Sequence, residues 1–244
     1  LDSGYYAAYT GLLARTEALD SAASNLSNSG TKGFRAEREY FRSAITGPDA
    51  WDSQLNRTVN DFGVLGGNVL DLGQGSLQPT GNPLDLAIQG QGFFAVRTAS
   101  GIRYTRDGQF QRAVDGTLTT PEGESVLNSQ NQPIRIPTGE IAIGSDGVIS
   151  VDGATAGTLG LFKFASANSI APEGTNRYVP VAGATPSPAS GAVHQGALEG
   201  SNQDAIQGTL QLILVQRQAE MMQKALSVFS NDLDKTASEE LPKV

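Results

Sequence analysis

Apolar residues at both ends of this 244-residue chain recur every three or four positions, whereas its middle is broken by glycine into short runs. Near the start they fall at Tyr5, Tyr9, Leu12, Leu19, Ala23 and Leu26, a heptad-like seam interrupted only by Thr16. The spacing predicts a helix from about Ser3, a suitable N-cap, to about Asn28, where Asn28-Ser29-Gly30 supplies a stop. Small residues at Ala7, Ala14, Ala18 and Ala22 form a second stripe along which another backbone could approach closely. At the far end Ala205, Gly208, Leu212, Val215, Ala219, Met222, Leu226, Phe229 and Leu233 repeat the pattern. Ser201 and Asp204 suggest a capping box, and Pro242 closes the segment. Ile206, Leu210, Ile213 and Leu214 widen the apolar surface, so the first part of this helix needs cover on more than one side. On spacing alone, pairing of the two helices within one chain and pairing between chains are equally compatible.

Between the helices, Asp-Gly or Glu-Gly pairs at Asp107-Gly108, Asp115-Gly116, Glu122-Gly123, Asp146-Gly147 and Asp152-Gly153 separate short apolar or alternating runs. These are hairpin signals, and the 29 glycines of the chain agree with turn-rich β structure. Candidate strands are 93–97, 102–105, 109–114, 134–136, 141–143, 148–151 and the apolar run 159–165. The predicted fold is α+β, with terminal helices forming a coiled-coil layer and a central all-β domain, either a hairpin-rich sheet or barrel-like. Its segments are a helix at 1–30, an extended connector at 31–80, the β domain at 81–181, a return linker at 182–200 and a helix at 201–244.

Composition narrows the chemistry. The chain has no cysteine and one histidine, which removes thiol nucleophiles, disulfides, zinc clusters and two-histidine metal motifs. Lysine plus arginine number 17 against 25 acidic residues, a net charge of -8 that disfavours nucleic acid and anionic lipid as partners. Nothing approaches the ~18 apolar residues of a membrane span. The opening Leu1-Asp2-Ser3-Gly4-Tyr5 lacks the basic and apolar regions of a signal peptide, so export is expected to need a dedicated apparatus. Gly90-Gln91-Gly92 lacks the remaining residues of a dinucleotide or P-loop motif. The Asp-Gly carboxylates have turn spacing and no EF-hand pattern. His194 is expected as a polar loop residue, and Met221 and Met222 as core. No catalytic, metal or cofactor site is predicted.

Three stretches carry a more specific signal. The first runs from Ala18 to Arg35 and holds Asn25, Asn28, Gly33 and Phe34 in an Asn-x-x-Asn then Thr-x-Gly-aromatic-basic arrangement. The second, Thr80 to Phe94, includes Asn82, Pro83, Leu84, Gly90, Gly92, Phe93 and Phe94, and is followed by Tyr104-Thr105-Arg106-Asp107-Gly108. The third contains Gly200, Ser201 and Asn202 and leads to Gln216 and Arg217. With these words the chain resembles the axial proteins of the bacterial flagellum, the family of rod and hook subunits. Ser27, Ser29 and the Gln203-Asp204 pair depart from the common pattern. Within the family the length and ending look most like a proximal-rod subunit, with a distal-rod subunit as the alternative. The resemblance implies a non-catalytic structural subunit of the basal body, exported without a cleaved signal by the flagellar type III apparatus. It also implies assembly in the periplasm with copies of itself and other rod subunits, without direct membrane insertion. The expected assembly interface is Tyr9, Leu12, Leu19, Leu26, Leu212, Val215, Ala219, Met222, Leu226 and Phe229. From another class, a glycan-binding or peptidoglycan-cleaving β-domain protein is the alternative, weakened by the absence of a catalytic constellation.

Overall fold

The computed structural model describes residues 2–42 and 64–240, with the side chains of 2–8, 41–42, 64–66 and 229–240 outside that description. Pro242 and much of the expected connector also lie outside it. The described residues are α+β. Helix α1 spans Asp2–Ser27 and helix α2 spans Ala205–Glu240, with strands between them. Neither helix is long and apolar enough to cross a membrane. The chain divides into two compact units: residues 1–26, 37–68 and 206–244 form one, and 27–36 with 69–205 form the other.

The first unit holds both helices and the paired strands β1, Glu37–Arg42, and β2, Val64–Leu70, whose last two residues belong to the second unit. Gly11 on α1 is close to Met222 on α2: a Cβ added there would sit 3.7 Å from the Met222 sulfur. α1 stops where Asn28-Ser29-Gly30 predicts. α2 starts at Ala205, so Asp204 occupies the N-cap position, and Ser201 instead accepts a hydrogen bond from the Gln203 N–H at 3.1 Å. The Ser201–Asp204 capping box therefore does not form; the helix begins one turn later than the sequence suggests.

In the second unit the strands in chain order are β3, Leu77–Pro79; β4, Leu86–Gln89; β5, Phe93–Thr98; β6, Gly101–Thr105; β7, Gln111–Arg112; β8, Leu118–Thr119; and β9, Ser125–Val126. They continue with β10, Ile141–Ile143; β11, Val148–Val151; β12, Ala154–Thr158; β13, Leu161–Lys163; β14, Ile170–Glu173; β15, Arg177–Pro180; β16, Ser187–Pro188; β17, Ala192–Gln195; and β18, Ala197–Glu199. The largest sheet has the order β14-β15-β6-β5-β9-β8-β7, with β13 joining β5 and β16 joining β13. Smaller sheets pair β10-β11-β12, β17-β4 and β18-β3. None of these described sheets closes on itself, so the β region is a set of open, hairpin-rich sheets and not a barrel.

β5 lies at the centre because its sequence is apolar on both faces. Successive side chains of a strand point to opposite sides. Phe94 and Val96 therefore enter one core cluster with Leu86, Ile88, Leu118, Val126 and Ile149, while Phe93 and Ala95 enter another with Tyr104, Leu127, Phe162 and Tyr178. Edge-to-face ring pairs knit the second cluster, including Phe93–Tyr178 at 5.5 Å and Tyr104–Phe164 at 5.0 Å.

The Asp-Gly rule holds at Asp152-Gly153, the two-residue tip between β11 and β12, where both residues take positive φ, 50° and 80°. It fails at Asp107-Gly108: the Gly108 carbonyl instead accepts from Leu86 N–H at 2.9 Å, tying two distant stretches together. The expected strand at 109–114 shortens to Gln111–Arg112. Residues 134–136 form no ladder strand, although Ile134 and Ile136 are buried and bridge neighbouring strands through backbone hydrogen bonds. His194 lies in β17, opposite Ala87 of β4 and not in a loop, with its Nε2 2.6 Å from Gln89 Oε1.

Candidate functional site: a signature junction and two helix faces

The three sequence words meet in the second unit around a carboxylate that water does not reach. Glu199 ends β18, whose pairing with β3 carries its side chain into the interior. One carboxylate oxygen accepts from Arg35 Nη2 at 2.6 Å and from the Gly75 N–H at 2.9 Å. The other accepts from Arg106 Nη1 at 2.9 Å. Arg106 also donates to the carbonyls of Ile88 and Gly90 and lies 5.4 Å over the Phe93 ring. All three charged groups are buried. Two guanidiniums thus share one carboxylate, and Arg35 Nε and Arg106 Nε remain buried without a partner. Burial is the main cause lowering the Arg106 pKa, opposed by Glu199 and reinforced by the like charge of Arg35.

Tyr178 completes the junction: its hydroxyl accepts from Arg35 N–H at 2.8 Å and donates to the Gly33 carbonyl at 3.2 Å. Burial pushes its phenol pKa upward, so it stays a neutral donor. Gly33 has φ +68°, and a Cβ there would fall 2.2 Å from Asp107 N. Only glycine fits that approach. Phe34 is buried beside it in sequence. Asn202 donates to the carbonyls of Asp71 and Gly73 at 2.8 and 3.1 Å and accepts from Ala36 N–H at 2.7 Å, so one amide holds two crossing segments.

The other signature residues have plainer roles. Asn82 forms a turn, accepting from Leu84 N–H at 3.3 Å and donating to Asp85 at 3.0 Å. Pro83 is exposed and Leu84 half-buried; Gly90 is exposed but its carbonyl serves Arg106. Gly92, Phe93 and Phe94 are buried at the entry to β5. Gly200 and Ser201 are half-buried. Asn28 accepts from the Thr31 hydroxyl at 3.1 Å and from its N–H through the backbone, a local turn. Asn25 does something else: its amide donates to the Glu37 carbonyl at 2.7 Å and accepts from the Glu37 N–H at 2.9 Å, clamping α1 to β1. Gln216 and Arg217 are exposed on α2, and Gln216 reaches Glu220 at 3.4 Å.

On the helices, the deepest residues of α1 are Gly11, Ala14, Ala18, Ser21, Ala22 and Asn25, the small-residue stripe. Leu12, Leu19 and Leu26 are half-buried and Tyr9 is exposed. On α2, Gly208, Val215 and Ala219 are buried, with Leu212, Met222 and Leu226 half-buried. Phe229 falls on α2, but its side chain is outside the described residues. A second face of α2 stays open: Ile206, Leu210, Ile213, Leu214, Met221 and Val228 are 42% to 74% exposed. Met221 is therefore not a core residue.

Sequence reasoning passed over Arg35, Arg106, Glu199 and Tyr178 as site residues. The available signal was the placing of Arg35, Arg106 and Glu199 at or beside the three glycine-bearing words of a chain only 17% charged, two cations and one anion.

Comparison with known proteins decides the family. Flagellar basal-body rod protein FlgF of Caulobacter vibrioides is 32% identical over 249 aligned residues, covering 100% of both chains. The chain belongs to the flagellar basal-body rod proteins. Within these rod proteins, FlgF of Escherichia coli is 34% identical over 91% of this chain and 93% of its own. FlgG of Bacillus subtilis is 32% identical over 87% and 89%. Residues 87–151 match the family model described as the flagellar hook protein FlgE/F/G D1 domain. That matched segment contains β5, Arg106 and most of the first core cluster.

Proposed function

We propose that the chain is a structural, non-catalytic subunit of the basal-body rod, assembling with copies of itself and other rod subunits. Its terminal helices, 1–30 and 201–244, form a coiled-coil layer around a hollow shaft that transmits torque and lets exported subunits pass. The β-rich unit makes lateral contacts; it holds the predicted β domain at 81–181 together with β3 from the predicted connector at 31–80 and β17 and β18 from the predicted return at 182–200. The flagellar type III apparatus carries the chain to the periplasm without a cleaved signal. The proximal rod is its position, supported by alignment with a FlgF over 100% of both chains. The distal rod is the second reading, favoured by the equal identity to a FlgG.

One observation carries this reading: the exposed apolar face of α2. Burying one such side chain is worth ~1.5–3 kcal/mol, and packing of an apolar face, more than propensity, stabilises helices. The interface then joins this face to the half-buried seam of Leu12, Leu19, Leu26, Leu212, Met222 and Leu226, with Tyr9, Val215, Ala219 and Phe229. The test is Leu214→Glu. It should change the stability of the isolated chain by under ~0.5 kcal/mol, as exposed substitutions do, while abolishing rod completion and swimming. Immunogold labelling of isolated basal bodies should find the unaltered chain in the rod. Normal swimming with both Leu210 and Leu214 changed to Glu would reject the reading.

A further inference from the structure

A pocket of about 160 Å³ in the β-rich unit is lined by Arg106 and Lys163 together with Gln91, Leu72, Phe93 and Phe164. We infer that it receives an aspartate or glutamate side chain from a neighbouring copy of this chain, an inference that rests on the assembly reading above.

Charge is the first argument. Arg106 and Arg35 bring two buried positive charges against the single carboxylate of Glu199, and Arg106 Nε is buried with no hydrogen-bond partner. The network's one excess positive charge attracts an anion brought beside it. Lys163 adds a second, exposed cation, with no ion pair among the described residues, and no Asp or Glu lines the pocket. The second argument is shape and polarity. Leu72, Phe93 and Phe164 offer apolar surface to the methylenes of an acidic side chain, contact from which an inorganic anion gains nothing. The volume suits one side chain. The third is supply: a chain with 25 acidic residues and net charge -8 presents carboxylates on every copy.

The test places a photo-crosslinking residue at the exposed Ala165 of the full chain, in bacteria building flagella, and analyses isolated basal bodies. The expected result is an adduct to a second copy at a peptide containing Asp or Glu. Lys163→Glu should lower its yield on the order of tenfold, the effect of losing one charge-assisted contact, while Lys163→Arg keeps it. Unfolding of the purified Lys163→Glu chain at the unaltered temperature shows that folding is intact; if it is destabilised, Lys163→Met serves in its place. An adduct to a different protein, to a segment without an acidic residue, or one insensitive to Lys163→Glu overturns the inference. So does the absence of any adduct when the chain is present in the basal bodies, which leaves the rod reading standing. Basal bodies lacking the chain overturn both.

Discussion

The two units solve the problem of apolar surface in opposite ways. In the β-rich unit the large residues are the buried ones: Leu86, Ile88, Phe94, Leu118, Ile136 and Tyr178 are almost wholly enclosed. In the helical unit the buried residues are mostly small, as at Gly11, Ala14, Ala18 and Ala22, and much of the large apolar surface of α2 faces outward. The first arrangement encloses its apolar core within its own chain. The second leaves a large apolar face exposed on its own chain, and that is the surface the proposed assembly would bury.

The sharpest way to break the comparison is to attack the enclosed unit at its charge network. Glu199→Ala leaves Arg35 and Arg106 buried without a counter-ion, and loss of one member of such a network costs about 3–5 kcal/mol. Urea unfolding followed by near-ultraviolet circular dichroism, which reports the packed Tyr178 and Tyr104, should show the drop. An unchanged midpoint would mean that the network is not what ties the three words together.

Gly33→Ala attacks the same junction through the backbone. The added methyl would lie 2.2 Å from Asp107 N at a φ that L residues rarely adopt, so one of two crossing segments must move. The expected cost is about 2–4 kcal/mol, read by the same unfolding curve. A cost near that of an ordinary surface substitution would show that the 33–35 segment can shift away from Asp107.

How much of this was legible beforehand depended on whether local sequence controlled the outcome. The helices were visible because period and stop signals act within a few residues, as at Asn28-Ser29-Gly30, and β5 because Phe93-Phe94-Ala95-Val96 is apolar on both faces. The start of α2 was misplaced because Ser201 has two competing uses, a helix cap and a short turn, and the turn wins. Asp107-Gly108 looked like every other Asp-Gly pair, yet its glycine serves a contact with Leu86, a partner that no local rule names. The Glu199 network was hidden for the same reason: 164 residues separate it from Arg35. The stripe of alanines on α1 could be seen, but sequence did not say that it, and not the leucine seam, would be the deeper face.

Asn25→Ala tests the helical unit at its firmest point. The side chain makes both hydrogen bonds of a backbone-like pair with Glu37, and removing it leaves a part-buried N–H and C=O without that partner. The expected loss is about 1–3 kcal/mol. Hydrogen exchange at the Glu37 amide should accelerate while amides of β5 keep their protection. Equal acceleration in both would mean that the two units unfold as one.

The smallest effect sharpens the comparison most, because it asks whether the close face of α1 is already optimised. Gly11→Ala adds a methyl at 3.7 Å from Met222 Sδ and 3.8 Å from its Cε, ordinary contact distances, within a helix interior where glycine costs ~0.8–1 kcal/mol relative to alanine. The variant should therefore gain up to about 1 kcal/mol, measured as a higher urea midpoint for the far-ultraviolet helix signal. Gly11→Leu should instead lose about 1–3 kcal/mol, since its extra carbons reach into the space held by Met222. A gain for both residues would mean that the α1 face at Gly11 stands open in solution; a loss for alanine would mean that even one methyl is too much. Either result would separate a helix face fitted to its own chain from one left free for another.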